Sequence, residues 1–195
     1  MTVTPRTPGM DDLVQQLREL ADVGTADFVI ASDTYWSYEH LQTALDRHRI
    51  TIYQQELEQW PTLNTSNVFV YQEYRAPIGN LESGTAVFSV QQLNGGTAPA
   101  YTVDYNTGVI TFTADTAGTA YMLSARAYDV YAAAADVWRA KMANAAKYFD
   151  FSTDNHSFKK SQFKSNCLEM AKYFDSQSMT NSFSVTTITR SDVNA

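Results

Sequence analysis

Residues 125–176 read ARAYDVYAAAADVWRAKMANAAKYFDFSTDNHSFKKSQFKSNCLEMAKYFDS, and this stretch decides the fold. It predicts an Ala-rich helix, a polar Asp-Phe-Ser-Thr-Asp loop and a Lys-rich helix. Over Asp129–Phe149 the residues Val130, Ala134, Val137, Trp138, Met142, Ala145 and Phe149 recur at the spacing of a core-facing stripe. Four consecutive alanines at 132–135 let another backbone approach closely at modest entropic cost. The next helix, Ser157 to about Ser176, places Phe163, Cys167, Met170, Ala171 and Phe174 on one side. A connection as short as Asp150–His156 predicts that the two helices lie antiparallel.

Upstream of this pair the hydrophobic period changes from 3.6 to 2. Val68–Tyr71, Ala86–Val90, Tyr101–Asp104, Val109–Thr113 and Ala120–Ser124 read as short strands. Asn94-Gly95-Gly96 and Asn106-Thr107-Gly108 supply the positive-φ positions of hairpin turns. Further upstream, a helix is expected from Asp11 to about Asp22, with an apolar stripe of Leu13, Leu17, Leu20 and Ala21 and a stop at Gly24. Phe28–Ala31 reads as a buried connection. Ser37 caps a longer helix expected to run to about Trp60, where Pro61 stops it. Its stripe of Leu41, Ala44, Leu45, His48 and Ile52 drifts toward Tyr53, Leu57 and Trp60.

The expected fold class is α+β, an antiparallel helical bundle of about four helices with an inserted small antiparallel β-sandwich or barrel and an extended C-terminal arm. The bundle is assigned residues 11–62 and 126–177, the β insert 67–125, a flexible N-terminal arm 1–10 and the C-terminal arm 178–195. In that last segment Phe183, Val185 and Ile188 alternate with hydroxyl residues, followed by Arg190, and no partner strand lies nearby in sequence. Two readings stay open for it: a strand that adds to another subunit's sheet edge, and a frayed tail.

Hydrophobic residues make up 44% of the 195, which excludes general disorder. Twelve Tyr and ten Phe suit both a core and an interface. Charge is divided unevenly. Residues 1–125 carry five Lys and Arg against fourteen Asp and Glu, a balance of −9, and residues 126–195 carry nine against seven, a balance of +2. No basic run suits tight, sequence-specific DNA binding, which needs clustered cations to displace counterions. The single cysteine, Cys167, excludes an intrachain disulfide and fits a reducing cytoplasm. The N-terminus lacks an apolar h-region and no run approaches the length of a membrane span, so a soluble chain is expected.

The residue types that carry catalysis are scattered. His40 and His48 are eight apart, roughly 12 Å of helical rise, too far to share a metal. Cys167 falls on an apolar stripe and reads as a core hydrophobe, with only His156 nearby to activate a thiol. Asp129, Asp150 and Asp154 form a conceivable metal group, but Asp150 and Asp154 also stand where a helix-to-helix turn needs side-chain acceptors. Lys159 and Lys160 fall in the first turn of the last helix, where each cation costs about 0.3–1 kcal/mol. They either pair with Asp150 and Asp154 or face an acidic partner. No catalytic, cofactor or metal site is expected, and no enzymatic activity.

The run Tyr148-Phe-Asp-Phe-Ser-Thr-Asp-Asn-His-Ser-Phe-Lys-Lys-Ser-Gln162 resembles the loop and final helix of head-to-tail adaptor proteins of long-tailed bacteriophages, also called head completion or neck proteins. Ala125–Asp136 resembles that family's long helix, and Asp33-Thr-Tyr-Trp-Ser followed by Leu41–His48 resembles its early helix. Tyr101–Phe112 is similar to hairpins of phage structural proteins, and the β insert departs from compact family members. The resemblance implies a virion protein of the neck, made in the host cytoplasm, forming a ring of twelve copies under the portal. Such a ring extends the DNA channel, offers the tail its docking surface and has no enzymatic activity. It implies as partners the portal protein and a stopper or other tail-side neck protein, with DNA passing through unbound in sequence and no membrane. The C-terminal arm residues Phe183, Val185, Ile188 and Arg190 would then contact the portal or a neighbour. A stopper, a tail terminator or a β-domain ligand-binding module are the alternatives.

Overall fold

The computed structural model describes residues 5–24, 28–30, 33–145, 151–153, 156–158 and 160–179. The chain is mixed α+β, with four α-helices, two larger antiparallel sheets and two small hairpins among those residues, and neither larger sheet closes into a barrel.

Helix α1 (Asp11–Leu20) has Asp11 and Asp12 in its first turn, where the helix dipole favours anions, and buries Leu13, Val14 and Leu17. It stops earlier than Gly24. Asp22 takes φ 48°, its N–H bonds the Glu19 carbonyl, and the Val23 N–H bonds the Arg18 carbonyl. That pair of bonds is the Schellman closure, with an Asp in the left-handed position that glycine more often fills. Phe28–Ala31 was expected as a connection. Phe28–Ile30 is instead β1, paired antiparallel with β2 (Asp33–Tyr35), and Ala31 lies outside the described residues.

Helix α2 (Tyr38–Asp46) begins where expected, with Ser37 Oγ accepting the His40 N–H. Its far end does not reach Trp60. After Asp46 the chain turns and enters β3 (Arg49–Glu56) and then β4 (Glu58–Leu63). The reason lies in Ile50, Thr51, Ile52 and Tyr53, β-branched and aromatic residues whose stiff χ1 suits a pleated surface. Ile52 is buried while Thr51 and Tyr53 are exposed, the alternation of a strand. Pro61 does not terminate a helix here. It sits in β4, an edge strand, where a missing N–H deprives no neighbour of a ladder bond.

The five strands read from the sequence are present as β5 (Phe69–Arg75), β6 (Ser89–Gln92), β7 (Tyr101–Asp104), β8 (Val109–Phe112) and β9 (Tyr121–Tyr128). One sheet has the order β3-β9-β6, the other β4-β5-β8-β7. Gly95 and Gly108, with φ 81° and 77°, occupy the expected turns. A single core serves both sheets. Ile52, Val90, Tyr121, Leu123, Ala125 and Ala127 from the first meet Tyr74, Ile110 and Phe112 from the second. Its centre is aromatic: Tyr74 is edge-on to Phe112 at 5.1 Å and to Tyr121 at 5.3 Å, and Phe112 stacks on Tyr121 at 4.5 Å. Tyr74 keeps its hydroxyl satisfied there by donating to the Thr119 carbonyl at 2.9 Å.

A second core joins the helices. Leu13, Val14 and Leu17 of α1 and Leu41 and Leu45 of α2 pack with Val130, Ala133, Ala134, Ala135 and Val137 of α3 (Val130–Ala145) and Phe174 of α4 (Lys160–Gln177). All four alanines at 132–135 are buried, as their close-approach role requires. Tyr131, near the start of α3, stacks on Phe174, near the end of α4, so the pair runs antiparallel. The connection between them differs from the expected capped loop. Phe151–Thr153 (β10) pairs with His156–Phe158 (β11), with Thr153 opposite His156, and α4 starts at Lys160 rather than Ser157. The alternation of Phe151, Thr153, His156 and Phe158 favours strands over a cap.

Two joints tie the cores together. Strand β9 reaches α3 through Asp129 alone. Near the N-terminus, residues expected to be a loose arm are bonded down: the Thr7 N–H donates to Gln42 Oε1 at 2.8 Å, and Gln42 Nε2 donates to the Pro5 carbonyl at 2.9 Å. Tyr38 donates to the Thr7 carbonyl at 2.9 Å, and the Gly9 carbonyl accepts both the N–H and the hydroxyl of Ser83 at 3.0 and 3.1 Å.

Candidate interaction surface

Strand β5 pairs with β8 only over Glu73–Arg75, whereas its pairing with β4 continues to Leu63 opposite Phe69. Residues 61–70 therefore form a two-stranded ribbon that runs past the end of the four-stranded sheet. Between Trp60 and Thr62 the register slips, so that one residue of β4, Pro61, faces two of β5, Tyr71 and Gln72. This bulge twists the ribbon away from the sheet it leaves.

The ribbon is braced at both ends. At its root the Tyr71 N–H donates to Asp115 Oδ1 at 2.9 Å, the Tyr71 carbonyl accepts the Thr116 N–H at 3.0 Å, and Gln59 Nε2 donates to the Gly118 carbonyl at 2.8 Å. The N–H groups of Tyr71 and then Ala117 hold the Asp115 carboxyl below its ordinary pKa. At the tip, Asn64 Oδ1 accepts the N–H groups of Ser66 and Val68 at 2.9 and 3.0 Å, and Asn67 takes φ 57°. An Asn at each of these positions suits a side-chain-braced, left-handed turn.

What the ribbon displays is apolar. Leu63 and Phe69 face each other at 59% and 58% exposed, and Val68 is exposed beside them. Alternation along β4 puts Leu63 on the face of Gln59, the side turned to the core, now carried beyond it. On the opposite face Trp60 lies under the Arg75 guanidinium at 3.8 Å, and Arg75 pairs with Glu73 at 3.0 Å. No Lys or Arg occurs between Arg49 and Arg75. Glu56 and Glu58 are exposed and neither joins an ion pair among the described residues.

Helix α4 also exposes apolar side chains. Cys167, Ala171 and Phe174 are buried as the stripe predicts, but Phe163, expected among them, is 37% exposed. Helix α4 meets the helical core through Met170 and Phe174. Leu168 and Tyr173 are exposed on opposite flanks of the helix, five residues apart, with Lys164 and Lys172 beside Leu168 and the exposed Glu169 between the two flanks. Burial raises the Cys167 thiol pKa, as expected of a core cysteine.

Those residues singled out for chemistry whose side chains are described have separate, local roles. Asp129 is a cap, its Oδ1 accepting the Ala132 N–H at 3.0 Å. His48 Nε2 contacts Asp136 Oδ2 at 2.9 Å, and His40 Nδ1 lies 2.9 Å from Ser37 Oγ, the same oxygen that caps α2. Among the described residues no group of three or more His, Cys, Asp or Glu is placed to hold a metal. Lys160 is the first residue of α4. Asp150, Asp154, Lys159, Phe183, Val185, Ile188 and Arg190 lie outside the described residues, as does the side chain of Lys160. Two open grooves of about 670 and 680 Å³ flank α1, and acidic and amide side chains such as Asp12, Gln15 and Asp104 line them. No described helix is long and apolar enough to cross a membrane.

The projecting ribbon escaped the sequence reading because Pro61 marks a helix stop and an edge strand equally well. The exposed run Leu63, Val68 and Phe69 around Asn64–Asn67 was its one available signal. Comparison with family models, curated proteins and solved structures finds no match for the chain.

Proposed function

We propose that the protein is a structural subunit of a bacteriophage neck, a head-to-tail adaptor that assembles as a ring under the portal and presents a docking surface to the tail. The four helices around one core and the two sheets around another are read as a helical bundle carrying a β-sandwich insert, with residues 178–195 as an arm toward the portal or a neighbour. The observation that supports this reading most is the braced ribbon 61–70, which carries Leu63, Val68 and Phe69 beyond its own core. A two-stranded hairpin is marginal by itself in water, and an apolar tip of this kind suits a protein that is completed by its neighbours. The resemblance of residues 33–48, 125–136 and 148–162 to phage adaptors supplies the identity of the assembly.

Electron microscopy of the virion tests the proposal. Density for this chain as a ring between portal and tail is the expected result. Density at a fibre tip would favour a β-domain ligand-binding module, and a ring at the tail end of the neck would favour a stopper or terminator.

A further inference from the structure

Register sets the outward face of the sheet β3-β9-β6. Thr51 stands opposite Arg126, Ser89 opposite Ser124, and Met122 between Glu56 and Gln91. Between the Ile52–Ala125 and Gln55–Leu123 pairs, two residues of β3, Tyr53 and Gln54, face the single Ser124. Gln54 takes φ 45° there, a left-handed conformation uncommon for a residue with a side chain, and its N–H donates to Ser124 Oγ at 3.1 Å. Bulges of this kind re-aim a side chain, and strained backbone of this kind gathers at ligand-holding positions. Beside the bulge lies a hollow of about 120 Å³. Gln54, Gln91 and Gln92 bring amides to it, Ser124 a hydroxyl, and Met122 and Leu93 apolar surface. No charged side chain lines it, in contrast to the two grooves beside α1. Tyr53, next to Gln54 in the bulge, is 77% exposed.

We propose that this hollow binds one neutral sugar ring, the end of a glycan, with Gln54 and Gln91 on its hydroxyls and Tyr53 along its apolar face. Each hydroxyl of a sugar both donates and accepts, and a side-chain amide offers a donor and an acceptor side by side to a neighbouring pair of them. The C–H face of the ring is apolar and suits Met122, Leu93 and an aromatic ring with free surface. Size agrees, since the hollow falls below the roughly 300–1,000 Å³ of sites for drug-sized molecules and admits a single ring. Charge selects against an anion. Glu56 stands beside Met122 on this face, and the nearest cation along β9, Arg126, has its guanidinium 3.7 Å from the buried Glu82. A phosphate would meet a carboxylate with no cation to offset it. This site goes beyond the adaptor role, which neither requires nor excludes it.

The test uses the full chain and four probes, the methyl glycosides of glucose, galactose, mannose and N-acetylglucosamine, titrated by saturation-transfer NMR. At least one should bind saturably with a Kd around millimolar, as a ligand of about a dozen heavy atoms allows. Gln54→Gly relieves the left-handed φ, so folding is retained while the amide is lost. Tyr53→Ala and Gln91→Ala change exposed side chains, with circular dichroism as the check on folding. Each of the three should weaken binding at least about tenfold. Gln15→Ala, in a groove beside α1, should leave it unchanged. No saturation by any of the four sugars would overturn the proposal, as would binding that survives Gln54→Gly and Gln91→Ala unaltered. Adenosine binding more tightly than every sugar would overturn it in favour of a base-binding site. None of these results bears on the ring's position in the virion, so the adaptor reading stands or falls separately.

Discussion

Asp129 holds Met179: its Oδ2 accepts the Met179 N–H at 2.8 Å while its Oδ1 accepts the Ala132 N–H at 3.0 Å. One carboxylate, buried between β9 and α3, thereby caps the start of α3 and closes the end of α4. The Asp129 backbone is engaged as well, its N–H donating to the His48 carbonyl and its carbonyl accepting the Ala133 N–H. Its N–H and Oδ2 reach distant segments, while its Oδ1 and carbonyl hold the first turn of α3. Asp129→Ala should lower unfolding free energy by about 2–4 kcal/mol, the sum of a lost cap and a stranded N–H. Urea denaturation checks it. A loss within that of an ordinary surface substitution would mean that the α4 end is held by other contacts.

Gly9 admits no side chain. A Cβ there would overlap the Ser83 carbonyl oxygen, a backbone atom that cannot swing aside. Gly9→Ala should therefore push the N-terminal segment off Ser83, costing about 1–3 kcal/mol as overpacking does. Thermal unfolding should show the drop, and Ser83→Ala, which removes only the hydroxyl donor, should show a smaller one.

The helical pair was legible because its residues satisfy one period only. Val130, Ala134 and Val137 fit 3.6 and no other spacing, and Ala132–Ala135 suit nothing but close helix packing. The segment 49–63 was not legible for the opposite reason. Ile52, Leu57 and Trp60 continue the stripe of α2, yet Ile50 and Ile52 also fit a strand, and pairing with β9 decides between them. Local pattern carries no information about that partner. The projecting ribbon is further from reach, because its exposure depends on where β8 stops pairing with β5. Asp129 was read only as a member of a conceivable metal group, and its bond to Met179 spans fifty residues and two elements.

Asp115 braces the ribbon without belonging to it. Its Oδ1 receives the N–H groups of both Tyr71, at the bulge, and Ala117. Asp115→Ala should free the bulge while leaving both cores intact. Amide exchange across residues 62–70 should then accelerate about tenfold, with little change in the global transition, as expected of a local opening. Equal acceleration throughout the sheet would show that the ribbon and the sheet open as one unit.

Tyr128 donates to Glu82 Oε2 at 2.8 Å, both side chains buried, and Arg126 stands 3.7 Å from the same oxygen. Burial first, and then the hydrogen bond to Glu82 and its charge, raise the Tyr128 pKa above the ordinary tyrosine value, and burial does the same for Tyr74 and Tyr101. A raised value in the folded state means that the folded chain keeps protons which the unfolded chain releases near pH 10. Stability from these groups is present in full below that pH and falls as pH climbs toward the folded values. Each such tyrosine steepens the fall by at most about 1.4 kcal/mol per pH unit. Tyr128→Phe should cost about 1–3 kcal/mol at pH 7, because Glu82 loses its donor, and should flatten the alkaline fall relative to wild type. Urea unfolding between pH 7 and 10.5, with phenolate absorbance followed in parallel, reads both effects. An alkaline slope unchanged by the substitution would place the tyrosine that titrates elsewhere in the aromatic core.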